Sequence, residues 1–304
     1  MPARPATTVV VVTWRGADHL AACLDGLAAQ TRPHRTLVVD NASDDGTARV
    51  LAEHPSRPEV LRLDVNTGYA GGIAAALPAV TTDFVAWLND DAVPPPHWLD
   101  SLEKAMGPDV AAVTSRLVRP DGGVQSTGVG LSADGHGYDR TDGSAAFGFC
   151  GGAALLRTTA LRDVGGVPAE FFCYYEDTDT SWRLRLAGWD VAVAAVDVRH
   201  LHGASSRPGS ASFHRWNERN RLLTLLRCAP APVALRELAR FAALTALLPL
   251  RRSRPDAPNF AVRLRLGVLA SVGRRLPWVY RTRRAVTRRG VVGRAVVWQR
   301  WASG

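Results

Sequence analysis

Two adjacent carboxylates, Asp90 and Asp91, end a stretch that is otherwise apolar: "FVAWLNDDAVPPPHWLD" runs from Phe84 to Asp100. Like charges side by side repel, and each resists burial unless something positive lies against it. A hard divalent cation answers both problems. Magnesium in particular combines one or two carboxylates with phosphate oxygens. The alternative is that the pair caps a turn ahead of Pro94. A second acidic group, Glu176, Asp177 and Asp179 in "FFCYYEDTDTSWRLRLAGW", falls before or within the first turn of a predicted helix, where the helix dipole favours negative charge. The dipole accounts for Asp179. Glu176 and Asp177, however, follow Phe171, Phe172, Tyr174 and Tyr175, and desolvation by such rings raises a carboxylate's pKa and suits it to act as a general base. A third group is "VRHLHGASS", in which His200 and His202, with Ser205 and Ser206 nearby, are either metal or phosphate contacts or ordinary structural residues. Gly68, Gly71 and Gly72 in "NTGYAGG" precede a helix and would let backbone approach a phosphate, although the spacing fits neither common nucleotide fingerprint.

The elements that must position these residues alternate. "TVVVVTW" (Thr8–Trp14) is a β-branched run suited to a strand buried on both faces. A helix follows over Ala17–Gln30, with Leu20, Cys23, Leu24 and Leu27 at helical spacing. "TLVVD", "EVLRLD" and "FVAWL" read as further strands, with "DDGTARVLAEH" and "AGGIAAALPAV" as helices between them. Such alternation predicts a mainly parallel sheet with helices on both faces, in which ligands gather at the carboxyl ends of the strands. Thr13-Trp14-Arg15, Asp40-Asn41, the segment from Asp64 to Gly68, and Asn89-Asp90-Asp91 all fall at those ends. The Gly-, Asp- and Ser-rich stretch from Pro120 to Phe147 reads as a long loop or short hairpins. A strand and short helix in "GGAALLRTTALRDVGG", the helix of "EDTDTSWRLRLAGW" and a last strand, "DVAVAAVDV", complete this part.

Charge divides the chain. Its 304 residues carry a net +9, yet from Ala231 to the end there are 16 Arg against only Glu237 and Asp256, which leaves residues 1–230 at −5. The four cysteines are scattered without a C-x-x-C pair, so neither a zinc site nor a disulfide framework is indicated. "FAALTALLPL" (Phe241–Leu250) is about half the length needed to span a bilayer. The expectation is a reduced, cytoplasmic protein.

Taken in order, "VVVVTWRG", "VVDNASDDGT", "NTGYAGG", "WLNDDAVPP", "CGGAALLRTTALRDVGG", "YYEDTDTSWRLRLAGW" and "HLHGASS" resemble the inverting glycosyltransferases of family 2, which have the GT-A fold. Within that family the likeness is to bacterial rhamnosyl- and galactofuranosyltransferases of cell-wall and surface polysaccharides. The resemblance implies a GT-A, Rossmann-like mixed sheet over residues 1–212, followed by a helical Arg-rich region, 213–304. It further implies that Thr13, Trp14, Arg15 and Asp40 border the base and ribose of a dTDP- or UDP-linked sugar, with Asn66 and Gly68 near the donor. Asn89-Asp90-Asp91 is similar to the family's D-x-D element with Asn in the first place, so that Asp91 would hold Mg²⁺ or Mn²⁺ and His200 or His202 would complete the metal and diphosphate site. Asp177 would be the base, with Glu176 beside it. Thr180 stands where the motif has Leu.

The implied acceptor is a glycan or polyprenyl-diphosphate-linked hydroxyl. Arg mixed with Leu, Val and Trp after residue 213 suits the surface of an anionic membrane at the inner face of the cell, or a helical subdomain packed on the catalytic core that offers a homodimer contact. Two other classes are weighed. A sugar-nucleotide nucleotidyltransferase should carry a Gly-rich loop with a basic residue after its first strand, which "TWRGADHL" does not match. A nucleic-acid binder is suggested by the positive charge, but the acidic first part and the lack of a stacking or helix-turn-helix motif count against it.

Overall fold

The computed structural model describes residues 5–201, 209–250 and 257–302. In chain order, strand β1 (Thr7–Thr13), helix α1 (Leu20–Ala28), β2 (His34–Asp40), α2 (Thr47–Glu53), β3 (Glu59–Arg62), α3 (Gly68–Ala76) and β4 (Phe84–Asn89) form the alternating first half. Next come β5 (Ala92–Val93), α4 (Trp98–Lys104), β6 (Val110–Val118) and the short strands β7 (Val124–Ser126), β8 (Val129–Leu131) and β9 (Gly137–Asp139). Then follow β10 (Ala153–Arg157), α5 (Thr158–Asp163), α6 (Glu176–Leu186) and β11 (Asp190–His200). Five helices close the chain: α7 (Ala211–Cys228), α8 (Ala231–Leu247), α9 (Val262–Arg274), α10 (Leu276–Arg289) and α11 (Arg294–Trp301).

Among the described residues the main sheet has the order β3-β2-β1-β4-β10-β6-β11-β5, with β7 beside β6. Strands β1, β2, β3 and β4 pair in parallel, and β6 pairs in parallel with β11, while β10 runs antiparallel between β4 and β6. The sheet is thus the mixed, mostly parallel one that the alternation implied. Both faces are covered, as the β-branched run of β1 requires. Val9 and Val11 pack with Leu20, Leu24 and Leu27 of α1 and with Trp98 and Leu102 of α4. Val10 and Val12 pack on the other side with Ile73 of α3, Leu161 of α5 and Leu184 of α6. The Pro120–Phe147 stretch resolves into short hairpins, as read. Strand β6 was not separated in the sequence reading, because "DVAAVTSRLV" lacks turn punctuation and joins the helix before it without a break.

The closing helices do not stand apart from the sheet. Trp182 and Leu186 of α6 share a cluster with Leu225 and Cys228 of α7, Ala234 of α8, Val286 of α10 and Val297 of α11. Phe171 and Tyr175 share another with Leu222 and Leu223 of α7, Phe241 of α8 and Val268 of α9. Asp179 lies in the first turn of α6, as read, and is fully buried there: its two oxygens take Arg183 Nε of the same helix at 2.7 Å and Arg227 Nη1 of α7 at 2.6 Å. The Arg227 guanidinium also lies 4.5 Å over the Trp278 ring. Arg265 is buried in the same manner, over Phe241 at 3.8 Å and bonded to Thr245 Oγ1 at 3.0 Å. Several of the region's arginines therefore hold the structure together internally.

Candidate functional site

One open cavity of about 610 Å³ lies at the carboxyl ends of β1, β2 and β4. Register explains the convergence: Thr13 pairs with Asp40 across β1 and β2, and Val12 with Asn89 across β1 and β4. Of the residues singled out in the sequence, Trp14, Asn66, Gly68, Asn89, Asp90, Asp91, Glu176, Asp177 and His200 line this cavity. His202 lies outside the described residues, as do Ser205 and Ser206.

Three further residues sit nearby without lining the cavity. Asp40 is buried in an ion pair with Arg62 and accepts the Ser43 N–H at 2.9 Å. Arg15 has a left-handed backbone (φ 57°), pairs through Nε with Asp44 at 2.6 Å and lies over Trp14 at 4.9 Å. Thr13 is fully buried, and among the described residues its hydroxyl has no hydrogen-bond partner; Asp90 Oδ2 and His19 Nε2, also buried, have only each other, at 3.2 Å. A side chain at Gly16 would collide with both oxygens, its Cβ 2.2 Å from Thr13 Oγ1 and 3.0 Å from Asp90 Oδ2. His19, 3.2 Å from Asp90, was missed in the sequence. The signal was weak, a lone histidine at the start of a helix. Its pKa is raised mainly by the contact with Asp90, against the effect of burial.

Asp91 is met by a residue 109 positions away. Strand β5 runs antiparallel to the end of β11, which sets His200 opposite Ala92, and His200 Nε2 comes within 3.0 Å of Asp91 Oδ1. Burial pushes the Asp91 carboxyl up, but the contact with His200 and the charges of His200 and His19 outweigh it and bring it below the ordinary range. His200 Nδ1 lies 3.0 Å from Gln125 Oε1, and Nε2 faces Asp91 and the Asn89 amide, 3.0 Å away. A histidine whose second nitrogen donates to an oxygen is the usual form of a metal-ligating imidazole. Among the described residues no group of three or more His, Cys, Asp or Glu is placed to hold a cation. A cation bound through one or two carboxylates takes its remaining ligands from phosphate oxygens and water, a part for which Asp91 is suited; the His200 nitrogen beside it lies outside the all-oxygen set that magnesium prefers.

The second carboxylate pair is built differently. Gly68 (φ 72°) packs so closely on the loop before α6 that an added Cβ would meet Phe172 O at 2.1 Å. Asn41 and Asn66 shape that turn: Asn41 Nδ2 donates to Gly68 O at 3.0 Å and Asn66 Oδ1 accepts the Gly68 N–H at 2.8 Å. The loop itself holds Phe172, Tyr174 and Tyr175 at positive φ (64°, 69° and 69°), a conformation costing about 1–3 kcal/mol per residue that is retained where the surroundings enforce it. It delivers Glu176, which is buried with Oε2 unpartnered, beside Asp177, which is half-buried. Asp177 Oδ2 accepts the Gly151 N–H at 3.1 Å and Oδ1 accepts the Thr178 N–H at 2.6 Å. Burial and the Asp177 charge push Glu176 up to about 8. Burial raises Asp177 as well, while the Gly151 and Thr178 N–H groups oppose the rise. The partners decide which oxygen carries the shared proton: Asp177 is solvated by N–H donors and Glu176 is not, so near neutral pH Glu176 is the protonated member and Asp177 the anion.

A carboxylate facing the cavity beside an aromatic wall, with a carboxylate–imidazole pair on the strand-end side, is an arrangement that suits transfer of a group off a diphosphate. A family model, "Glycosyl transferase family 2", matches residues 8–165. An N-acetylglucosaminyl-diphospho-decaprenol L-rhamnosyltransferase of Mycobacterium tuberculosis is 27% identical over 248 residues, spanning 68% of this chain and 81% of the relative. The O-antigen biosynthesis protein RfbC of Myxococcus xanthus is 29% identical over 229 residues, 68% of this chain and 18% of that much longer protein. Among solved structures, a mannosyltransferase from Pyrobaculum calidifontis in complex with GDP-Man and Mn²⁺ superposes with a TM-score of 0.56 at 19% identity, over 99% of this chain and 88% of that one. S. aureus TarS 1-349 in complex with UDP-GlcNAc gives 0.58 at 16% identity, over 96% and 90%. These two likenesses bear on the fold, which is the GT-A type. With its family model matching over half of the chain, the protein belongs to glycosyltransferase family 2 and is a glycosyl-transferring enzyme.

Proposed function

We propose that the enzyme moves a sugar, rhamnose or galactofuranose, from a dTDP- or UDP-linked donor to a hydroxyl of a polyprenyl-diphosphate-linked or other glycan acceptor, in the assembly of a cell-wall or surface polysaccharide. The observation that carries this reading is the pairing, in one cavity, of the Asp177 base with the Asp91–His200 contact. The mycobacterial relative's name, which specifies both a rhamnosyl product and a lipid-diphosphate acceptor, supports the choice of substrates.

Asp91 and His200 would hold a divalent cation, Mg²⁺ or Mn²⁺, whose charge stabilises a nucleotide diphosphate leaving group. Trp14, Asn66 and Gly68 border the nucleotide and donor sugar, and Asn89 and Asp90 lie beside the diphosphate; Thr13, Arg15 and Asp40 support this end from behind. Asp177 takes the proton of the acceptor hydroxyl at its carboxylate as that oxygen attacks the anomeric carbon. Leaving group and nucleophile occupy opposite sides of the sugar, so one displacement inverts the configuration. Glu176, holding its own proton, spares Asp177 a second negative neighbour.

The division into a catalytic part, 1–212, and a helical part, 213–304, belongs to the same proposal. No helix among the described residues is long and apolar enough to cross a membrane. Leu235, Leu247 and Leu250 along and after α8 are exposed. With the surplus of arginine after residue 231 they support peripheral contact with an anionic membrane surface, where a lipid-linked acceptor would be met.

Thermal melting with UDP, dTDP and GDP, each with and without Mg²⁺ or Mn²⁺, tests the donor side. A metal-dependent rise with dTDP or UDP is expected by mass action, and no rise with any diphosphate counts against the reading.

A further inference from the structure

The far wall of the cavity is aromatic, and half of it comes from α7, well beyond the segment the family model matches. Phe172 and Tyr174 reach the cavity from the loop before α6, and Phe213 and Trp216 reach it from α7. The Phe172 and Trp216 rings lie 4.8 Å apart, tilted by 34°; Tyr174 sits 5.1 Å from Phe213, edge to face, and 6.4 Å from Trp216. Asn217 lines the same wall. The carboxylate–imidazole pair belongs to the opposite, strand-end side, so this wall adjoins the base and not the cation ligands.

The wall is also rigid. Asn220 of α7, fully buried, shares the two N–H groups of its amide among three loop carbonyls, Phe171 O at 3.0 Å, Cys173 O at 2.9 Å and Tyr174 O at 2.8 Å. Arg219 Nη2 donates to Phe171 O at 2.5 Å. These bonds hold the positive-φ residues that aim Phe172 and Tyr174. A rigid set of ring faces with an amide at its edge suits a ligand that is apolar on one face and hydroxylated around its rim. A pyranose presents such a pair of surfaces, with axial C–H groups on one face and hydroxyls around the ring.

We infer that Phe172, Tyr174, Phe213, Trp216 and Asn217 form the acceptor subsite, which takes a neutral pyranose by laying its C–H face on the cavity-facing surface of the Trp216 ring, backed by Phe172, and turns one hydroxyl toward Asp177. This inference rests on the reading of Asp177 as the base. It also locates acceptor choice in α7 and the strained loop, while donor choice stays with the strand ends. Relatives that match the first half of this chain but differ at 213–217 then differ in acceptor.

The test compares wild type with Trp216→Ala, Trp216→Phe and Phe213→Leu, using N-acetylglucosaminyl diphosphate on a ten-carbon alkyl chain as the acceptor probe. Trp216→Ala is expected to raise the KM for the probe about tenfold or more, with donor KM moving less than about twofold, and Trp216→Phe to recover much of the loss. Equal rises in both KM values would assign the wall to the donor, and no rise in either would leave it without a role in binding; each outcome overturns the inference. Calorimetric titration of the probe into wild type and Trp216→Ala reads the same site without turnover, and probe binding of equal strength in the two also overturns it. Melting with dTDP or UDP and metal is run alongside. Nucleotide binding that survives while probe binding fails separates an error about the wall from an error about the enzyme's reaction.

Discussion

The molecule carries two pairs of neighbouring carboxylates at one cavity, and it treats them in opposite ways. Asp90 and Asp91 end a parallel strand, and each meets a histidine: His19 at 3.2 Å and His200 at 3.0 Å. Glu176 and Asp177 open a helix behind a strained aromatic loop and, among the described residues, meet no cationic side chain; Asp177 has backbone N–H donors and Glu176 Oε2 has no partner there. The first arrangement lowers the Asp91 pKa and the second raises both members. Identical side-chain chemistry thus yields a carboxylate held anionic on one wall and a pair that holds a proton more tightly on the other, the difference on which the proposed roles rest. The difference lies in what each pair is set against. Two acids next to each other in a sequence say nothing by themselves about which role they take.

The strongest way to break this contrast is to remove the base. Asp177→Asn should lower kcat by roughly 10³-fold, with the metal-dependent melting shift by nucleotide retained; near-normal turnover would take the role from Asp177. Next comes the buried frame beneath it. Arg227→Met leaves Asp179 with one partner in place of two, and unpairing a buried charge costs about 3–5 kcal/mol, so chemical denaturation should show a loss of that order. On the opposite wall, Asp91→Ala should abolish the metal-dependent part of the nucleotide-induced rise in Tm, with the apo Tm moving little by comparison; a shift that persists would remove Asp91 from the metal site.

A finer test sharpens the contrast through pH. Folded Glu176 holds its proton far more tightly than the ordinary value of 4.5, up to about 8. Its favourable contribution is therefore fully present below about 4.5 and is lost as pH rises through about 8. Glu176→Gln has no such loss. Its Tm should gain on wild type as pH goes from acid to alkaline, while the acid limb of its kcat profile should stay within about half a pH unit of wild type, because Glu176 is already neutral where Asp177 titrates. An acid limb that moves down by a full unit or more would show Glu176 charged beside Asp177 in that range and would reverse the assignment of the proton. The smallest effect is expected at Arg15, whose pair with Asp44 is exposed: Arg15→Ala should leave Tm unchanged, and any loss of nucleotide affinity beyond twofold would bring Arg15 into the donor site.

Much of the cavity's strand-end wall was legible before any coordinates. Residues at the ends of β1 and β4 share an edge because parallel strands separated by helices must bring their carboxyl ends together. Trp14, Asn89, Asp90 and Asp91 follow from that rule, and so does the two-sided burial of Val9–Val12. Asp40 obeys the same topology yet turns into a buried pair with Arg62, since which face a strand-end side chain takes is not set by period alone. Strand β6 escaped notice for want of turn residues, although it lies in the middle of the sheet's second half.

By itself, then, the sequence determined the alternation, the edge at which polar groups collect, and the aromatic approach to Glu176 and Asp177. These depend on residue periodicity and on neighbours within a few positions. Tertiary structure alone decided that His200 meets Asp91, that Asp179 is locked between Arg183 and Arg227, and that Trp216 stacks beside Phe172. Each of these rests on a through-space distance between segments far apart in the chain. Charge and burial, which set the direction of a pKa, are properties of that surrounding space and not of the local sequence.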